Sequence, residues 1–166
     1  SILRPLILAA KDHLRVEVDY VSLNQPDREG RIIVPHTLVW TGLRWHVRGW
    51  CEKNQDYRDF VLSRFRGEPE VLAASNRTGA LDEDWHTLVT IDIAPDPRLT
   101  ADQQAVVAHD YGMTDGKWQL PVRAKLLPYL LQLLRLDPTQ VMEDPRAQQI
   151  VIVNQADVEA WLFPSG

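Results

Sequence analysis

The chain carries one cysteine, Cys51, so no internal disulfide can form, and a lone thiol on a strand fits a reducing compartment better than secretion. It has no apolar run near the roughly 18 to 20 residues a membrane-spanning helix needs. The richest stretch, Leu126 to Leu136, is broken by Pro128 and Gln132. There is no G-x-S-x-G, no phosphate loop of the G-x-x-x-x-G-K type, no C-x-x-C or H-x-x-x-H spacing and no second carboxylate placed to work with a first. No catalytic residue, metal site or cofactor is therefore expected, and a non-enzymatic protein of the cytoplasm is. The opening S-I-L-R-P-L-I-L-A-A looks like a signal-peptide core, but Leu3, Leu6, Ile7, Ala10 and Leu14 fall at helical spacing, which reads as an amphipathic helix. Starting at Ser1 without a methionine, the chain reads as a piece of something longer.

What is present is ordinary for globular protein: 166 residues, 45% hydrophobic and 25% charged, enough for one domain or two small ones. The charge is uneven. The net charge is -5, yet residues 28 to 66 hold eight Lys and Arg against four acids, about +4, on a remainder of about -9.

Arg15 to Ser22 alternates with Val16, Val18 and Tyr20 on one face, a half-buried strand; Arg31 to Trp40 contains Pro35 and belongs at an edge, strand end or bulge. With two further strands to Arg64, the pattern is that of a small barrel or curled sheet. Residues 68–84, with Pro69, Asn76 and Gly79, read as a linker in which Asp82, Glu83 and Asp84 are a solvated run. Residues 85–166 then alternate: strand Thr87 to Ile93, a helix opened by the capping box Thr100-Ala101-Asp102-Gln103, strand Lys117 to Val122, an apolar helix Ala124 to Leu136, strand Gln148 to Val153 and a last helix capped by Asn154. This order suggests a small α/β sandwich of ferredoxin-like type. A helix apolar all round implies an interface, and so a homodimer.

The stretch Gly42 to Arg66 carries the candidate site. A strand Leu43 to Cys51 points Arg44, His46, Arg48 and Trp50 one way and Trp45, Val47 and Cys51 the other; a second, Tyr57 to Arg64, adds Arg58 and Arg64. Arginines interrupting an apolar strand are costly unless an anion meets them. Two readings stand: surface arginines pairing with Glu52, Asp56 and Asp59, or a cluster that binds a phosphate-bearing ligand. His36 and His46 either donate to that anion or are satisfied polar residues. Tyr20 and Ser22 offer hydroxyls to the site, or serve the core and a turn. Trp40, Trp45 and Trp85 read as core, as does Trp50 unless it stacks on a base.

Tyr20-Val21-Ser22, Arg31 to His36, Arg44-Trp45-His46-Val47-Arg48 and Tyr57 to Arg64 occur in an order and spacing that resembles the WYL domain of bacterial transcription regulators, with Trp45-His46-Val47 in place of the name-giving Trp-Tyr-Leu. The resemblance covers roughly residues 2 to 67 and implies a WYL domain at residues 1–67 with an Sm-like or SH3-like β-barrel and a ligand site built from Tyr20, Ser22, His36, Arg44, His46, Arg48, Arg58 and Arg64. Residues 85–166 resemble the C-terminal extension that follows such domains and is associated with dimers. The family's usual winged helix-turn-helix, the DNA-reading part, has no counterpart in this sequence, and members near phage-defence islands look most similar. The expected partners are a nucleotide or short single-stranded nucleic acid, a second copy of the chain, and DNA through a winged helix elsewhere. Two other readings remain: a strand-guiding accessory of a helicase or nuclease, and a plain dimerization scaffold.

Overall fold

The structure, a computed structural model, describes residues 1–162. The chain divides between Glu83 and Asp84 into two compact units.

Unit 1 opens with α1 (Leu3–Asp12), which packs on the sheet through Leu6 and Ala9 and leaves Leu3, Ile7 and Leu8 exposed, so its buried side is rotated from the stripe read in sequence. His13 ends the helix in the left-handed region, φ 57°, its N–H donating to the Ala9 carbonyl. Five strands follow: β1 (Leu14–Tyr20), β2 (Glu29–Trp40), β3 (Trp45–Cys51), β4 (Asp56–Val61) and β5 (Phe65–Ala74). They form one antiparallel sheet in the order β4-β3-β2-β1-β5. Val16, Val18 and Tyr20 alternate into the core as their spacing requires, meeting Ile33, Val47 and Phe60.

Two sequence expectations change here. The linker begins too early, because β5 runs through Phe65–Ala74 and pairs with β1. Gly67 and Pro69 are compatible with this strand because it lies at the sheet edge, where one side needs no ladder bonds. The barrel is not closed among the described residues: β4 and β5 are the two free edges.

A register shift between Pro35 and Thr37 puts a bulge in β2 opposite Gly49 of β3. A Cβ on Gly49 would lie 2.5 Å from the Val34 carbonyl oxygen, so only glycine fits beneath the bulge. Gly49→Ala is expected to lower the stability of unit 1 by about 1–3 kcal/mol through this overpacking. Urea unfolding followed by tryptophan fluorescence checks it, and an unshifted midpoint would mean the bulge yields freely.

Unit 2 contains α2 (Glu83–His86, spanning the division), β6 (Leu88–Pro95), α3 (Ala101–Asp110), β7 (Trp118–Arg123), α4 (Leu127–Leu134), β8 (Ile150–Ile152) and α5 (Gln155–Glu159). Its three strands are antiparallel in the order β7-β6-β8. The alternation of strands and helices is as read, but three antiparallel strands with β6 central do not make the ferredoxin-like sheet. Both arms of the Thr100–Gln103 capping box are formed. Asn154 does not cap α5. Its side chain bridges to β6 instead, accepting from the Asp92 N–H and donating to the Thr90 carbonyl. α4 is shorter than the apolar run suggests, with Pro128 in its first turn. Leu127 and Leu131 are buried in the unit's own core, Leu130 and Leu134 pack against it, and Leu133 is exposed.

No helix among the described residues is long and apolar enough to cross a membrane.

Candidate functional site

Register sorts the side chains of β3 and β4 onto two faces. On the inner face Val47 opposes Phe60 in the core; on the outer face His46 opposes Val61, Arg48 opposes Asp59 and Trp50 opposes Tyr57. Arg58 opposes Gly49, which puts it on the inner side, away from His46 and Arg48, exposed and 3.6 Å from Asp56. Asp59, named from the sequence as a possible partner of the arginines, shares the face of Arg48.

Arg48 and Asp82 are only 2% and 1% exposed. Arg48 Nε and Nη2 donate to the two Asp82 carboxylate oxygens at 2.7 and 3.0 Å, and Nη1 donates to Asp59 at 3.1 Å. The β2 bulge brings His36 to the same place: Nε2 lies 2.9 Å from Asp82 Oδ2, and Nδ1 lies 2.7 Å from Thr37 Oγ1. Burial works against the Arg48 charge, but the Asp82 hydrogen bonds and the charges of Asp59 and Asp82 outweigh it and hold the guanidinium above its ordinary range.

Asp82 arrives on residues 75–83, which cross this outer face as a strap. The Tyr57 hydroxyl donates to the Thr78 carbonyl at 2.6 Å, and the Arg77 guanidinium stacks 4.3 Å from the Trp50 ring centre. Gly79 lies so close to His36 that a Cβ there would meet the ring. The solvated acidic run read in sequence is thus, at Asp82, the most deeply buried carboxylate of unit 1.

Beside this closed half lies an open one. Arg44 is in the β2–β3 turn, not in β3: the Thr41 N–H and hydroxyl both donate to the Arg44 carbonyl, at 3.2 and 3.0 Å, and Gly42 takes the left-handed φ of 91° that the turn requires. Arg64 ends a 3-10 turn, Leu62–Arg64, that replaces the last part of the expected strand, and its carbonyl accepts from the Val21 N–H at 3.1 Å. Neither guanidinium has an ion-pair partner among the described residues. Both act on His46, which is buried: desolvation lowers its pKa, Asp59 opposes this, and the Arg44 and Arg64 charges add to the fall. His46 is consequently a neutral imidazole at pH 7, and the charge of the site comes from the arginines.

Trp40 and Trp45 sit opposite each other at this end of the β2–β3 hairpin, ring centres 5.4 Å apart and 54% and 47% exposed. They are not core, as their size suggested, while Trp50 and Trp85 are buried. Tyr20 turns into the core against Phe60 and Phe65, its hydroxyl accepting from the Val61 N–H at 2.9 Å, and Ser22 closes a turn by accepting from the Gln25 N–H at 3.0 Å. Of the eight residues read in sequence, the structure groups Arg44, His46 and Arg64 on one side and His36 and Arg48 around Asp82 on the other. Tyr20, Ser22 and Arg58 stand apart. Asp82, Arg77, Tyr57 and the Trp40–Trp45 pair were missed.

Residues 1–68 match the WYL domain family, and residues 88–158 match the C-terminal dimerization domain of the BrxR transcriptional regulator. The chain thus carries a WYL domain followed by a BrxR-type C-terminal dimerization domain. It is similar to the DNA-binding transcriptional repressor CapW of Stenotrophomonas maltophilia, 36% identical over 157 residues, which are 95% of this chain and 52% of that protein. CapW of Pseudomonas aeruginosa is 36% identical over 146 residues, 87% of this chain and 48% of the other. The chain thus spans about half the length of these relatives. Among solved structures, proteasome accessory factor B/C of Arthrobacter aurescens aligns over 94% of this chain and 25% of its own, with a TM-score of 0.39 and 18% identity. The CapW relatives are named as DNA-binding transcriptional repressors. In this WYL domain the three name-giving positions fall on separate environments: Trp45 is exposed on the hairpin, His46 is buried on the outer face and Val47 is in the core.

Proposed function

We propose that this chain is the ligand-sensing and dimerizing part of a bacterial transcription regulator of the cytoplasm, and that unit 1 binds a nucleotide or short single strand of nucleic acid. The observation that carries the reading is the pair Arg44 and Arg64, two guanidinium groups with no ion-pair partner among the described residues, whose charges both act on the buried His46. Guanidinium suits phosphate oxygens in a bidentate fork. The exposed Trp40–Trp45 pair at the end of the same hairpin, on the face opposite His46 by strand parity, offers stacking surface to the bases of a strand that passes around the hairpin end, which favours a ligand with bases over a bare anion. Unit 2 supplies the homodimer, and DNA is read by a winged helix carried elsewhere in the regulator, as the name of the CapW relatives supports.

The test is titration of fluorescent mixed-sequence oligonucleotides at two salt concentrations. Arg44→Ala is expected to weaken binding and to reduce the slope of log K against log salt by about 0.7, one phosphate's worth for a single strand. Trp45→Ala should cost about 1–3 kcal/mol of affinity at an unchanged slope, because stacking releases no counter-ion. Identical binding by all three proteins, or none by any, would return the arginines to an ordinary solvated face.

A further inference from the structure

The buried half of the outer face has a consequence for the open half. Arg48 and His46 are two residues apart on the same side of β3, hence about 7 Å from each other along the strand. A ligand held by Arg44 and Arg64 at His46 is therefore one step from the Arg48 guanidinium. That guanidinium already holds a bidentate carboxylate, in the fork geometry by which it would hold a phosphate. The carboxylate comes from no strand of the sheet. It is carried by the 75–83 strap, fixed to the outer face by the Tyr57 hydroxyl, the Arg77 stack on Trp50 and Asp82 itself. When Asp82 leaves, Asp59 stays on Nη1 and keeps the Arg48 side chain aimed outward.

We propose that Asp82 is an internal competitor for the ligand phosphate: it occupies Arg48 and His36 in the ligand-free protein, and a phosphate-bearing strand bound at Arg44 and Arg64 takes Arg48 over and releases the strap. The inference rests on the reading of unit 1 as a phosphate site and adds its regulation. The strap ends where α2 begins and is the only covalent connection between the sensing unit and the dimerization domain, so its release is a signal that travels along the chain. A carboxylate standing in for the ligand explains why a buried arginine is placed in a binding face, which simple neutralization of Arg48 does not.

Competition makes the apparent affinity depend on how often the strap is open. The experiment uses the whole chain and a fluorescein-labelled mixed-sequence DNA oligonucleotide at one salt concentration, with wild type, Asp82→Asn and Tyr57→Phe. Asp82→Asn, which removes the competing charge, should tighten binding roughly tenfold or more. Tyr57→Phe leaves Asp82 and Arg48 in place and removes one hydrogen bond to the strap, so it should tighten binding about two- to tenfold, the size of one net hydrogen bond. Arg77 supplies a second readout, since saturating oligonucleotide should speed tryptic cleavage after Arg77 in the wild type. If Asp82→Asn fails to fold, Tyr57→Phe and the cleavage rate decide. Binding by the variants equal to wild type, with cleavage after Arg77 unchanged, overturns the proposal and leaves the ligand reading standing. Absence of binding by all three proteins overturns both, whereas binding by Asp82→Asn alone supports a strap that closes the site.

Discussion

Asp82→Ala is expected to cost unit 1 about 3–5 kcal/mol, the range for leaving one member of a buried ion pair without its partner. Arg48 is 2% exposed and loses two charge-assisted hydrogen bonds at once, while Asp59, at the sheet edge, retains only the bond to Nη1. Since a folded domain is stable by roughly 5–15 kcal/mol, the variant would sit near the limit of folding. Replacing both partners, Arg48→Met with Asp82→Leu, should cost far less, because no buried charge is stranded. Urea unfolding of the three proteins, wild type included, in a phosphate-free buffer gives the comparison. An Asp82→Ala midpoint equal to wild type would show that Arg48 is hydrated without the strap. The same cost bears on the proposed ligand site: a group that must always meet an anion is one that a ligand anion would satisfy in place of Asp82.

The need for that anion was legible in the sequence; its source was not. Four arginines and a histidine on two apolar strands call for negative charge, and the sequence offered two sources, the nearby Glu52, Asp56 and Asp59 or a ligand; of these Asp59 meets Arg48, and Asp82, which was neither, supplies the other two bonds. Strand parity correctly put His46 and Arg48 on one face, opposite Val47. Arg44 and Arg64 join His46 although each lies beyond its strand, in a turn and a 3-10 helix, where period-two counting no longer applies. Parity failed between strands, since pairing register is a tertiary property: the register puts Asp59 opposite Arg48 and Arg58 opposite Gly49, and nothing within either strand fixes that choice. Asp82 had no local mark at all. It follows Gly79 and precedes Glu83 and Asp84 in a stretch whose composition is that of a loop, and its burial comes from a fold that returns it over residues more than thirty positions earlier. The capping box at Thr100 and the alternation of β1 are the converse case, local patterns whose outcome depends on immediate neighbours. The Trp40–Trp45 pair shows the limit of size as a guide: large aromatics are core by default, yet these two extend past the last core layer of the hairpin.

Cutting the chain after Glu83 is expected to abolish dimer formation. Residues 88–158 match a dimerization domain, and unit 2 carries the apolar surface to go with it. The surface is not the one that sequence suggested, because α4 uses most of its leucines internally and offers only Leu133 among its exposed large apolar side chains. The remainder is spread over unit 2, at Val106 and Tyr111 and along a groove lined by Ala94, Pro95, Ala105, Ala108, Val151 and Val153, whose short side chains leave room for a partner's. A stable association needs about 800 Å² from each partner, which an interface joining several of these patches would supply. Light scattering at micromolar concentration should give twice the chain mass for the whole protein and a single mass for residues 1–83. A whole chain that stays monomeric would remove the dimer from the proposed function. A dimer of residues 1–83 would move it to unit 1, where the exposed Trp40 and Trp45 would then be its most suitable contact and their role in stacking on bases would be lost.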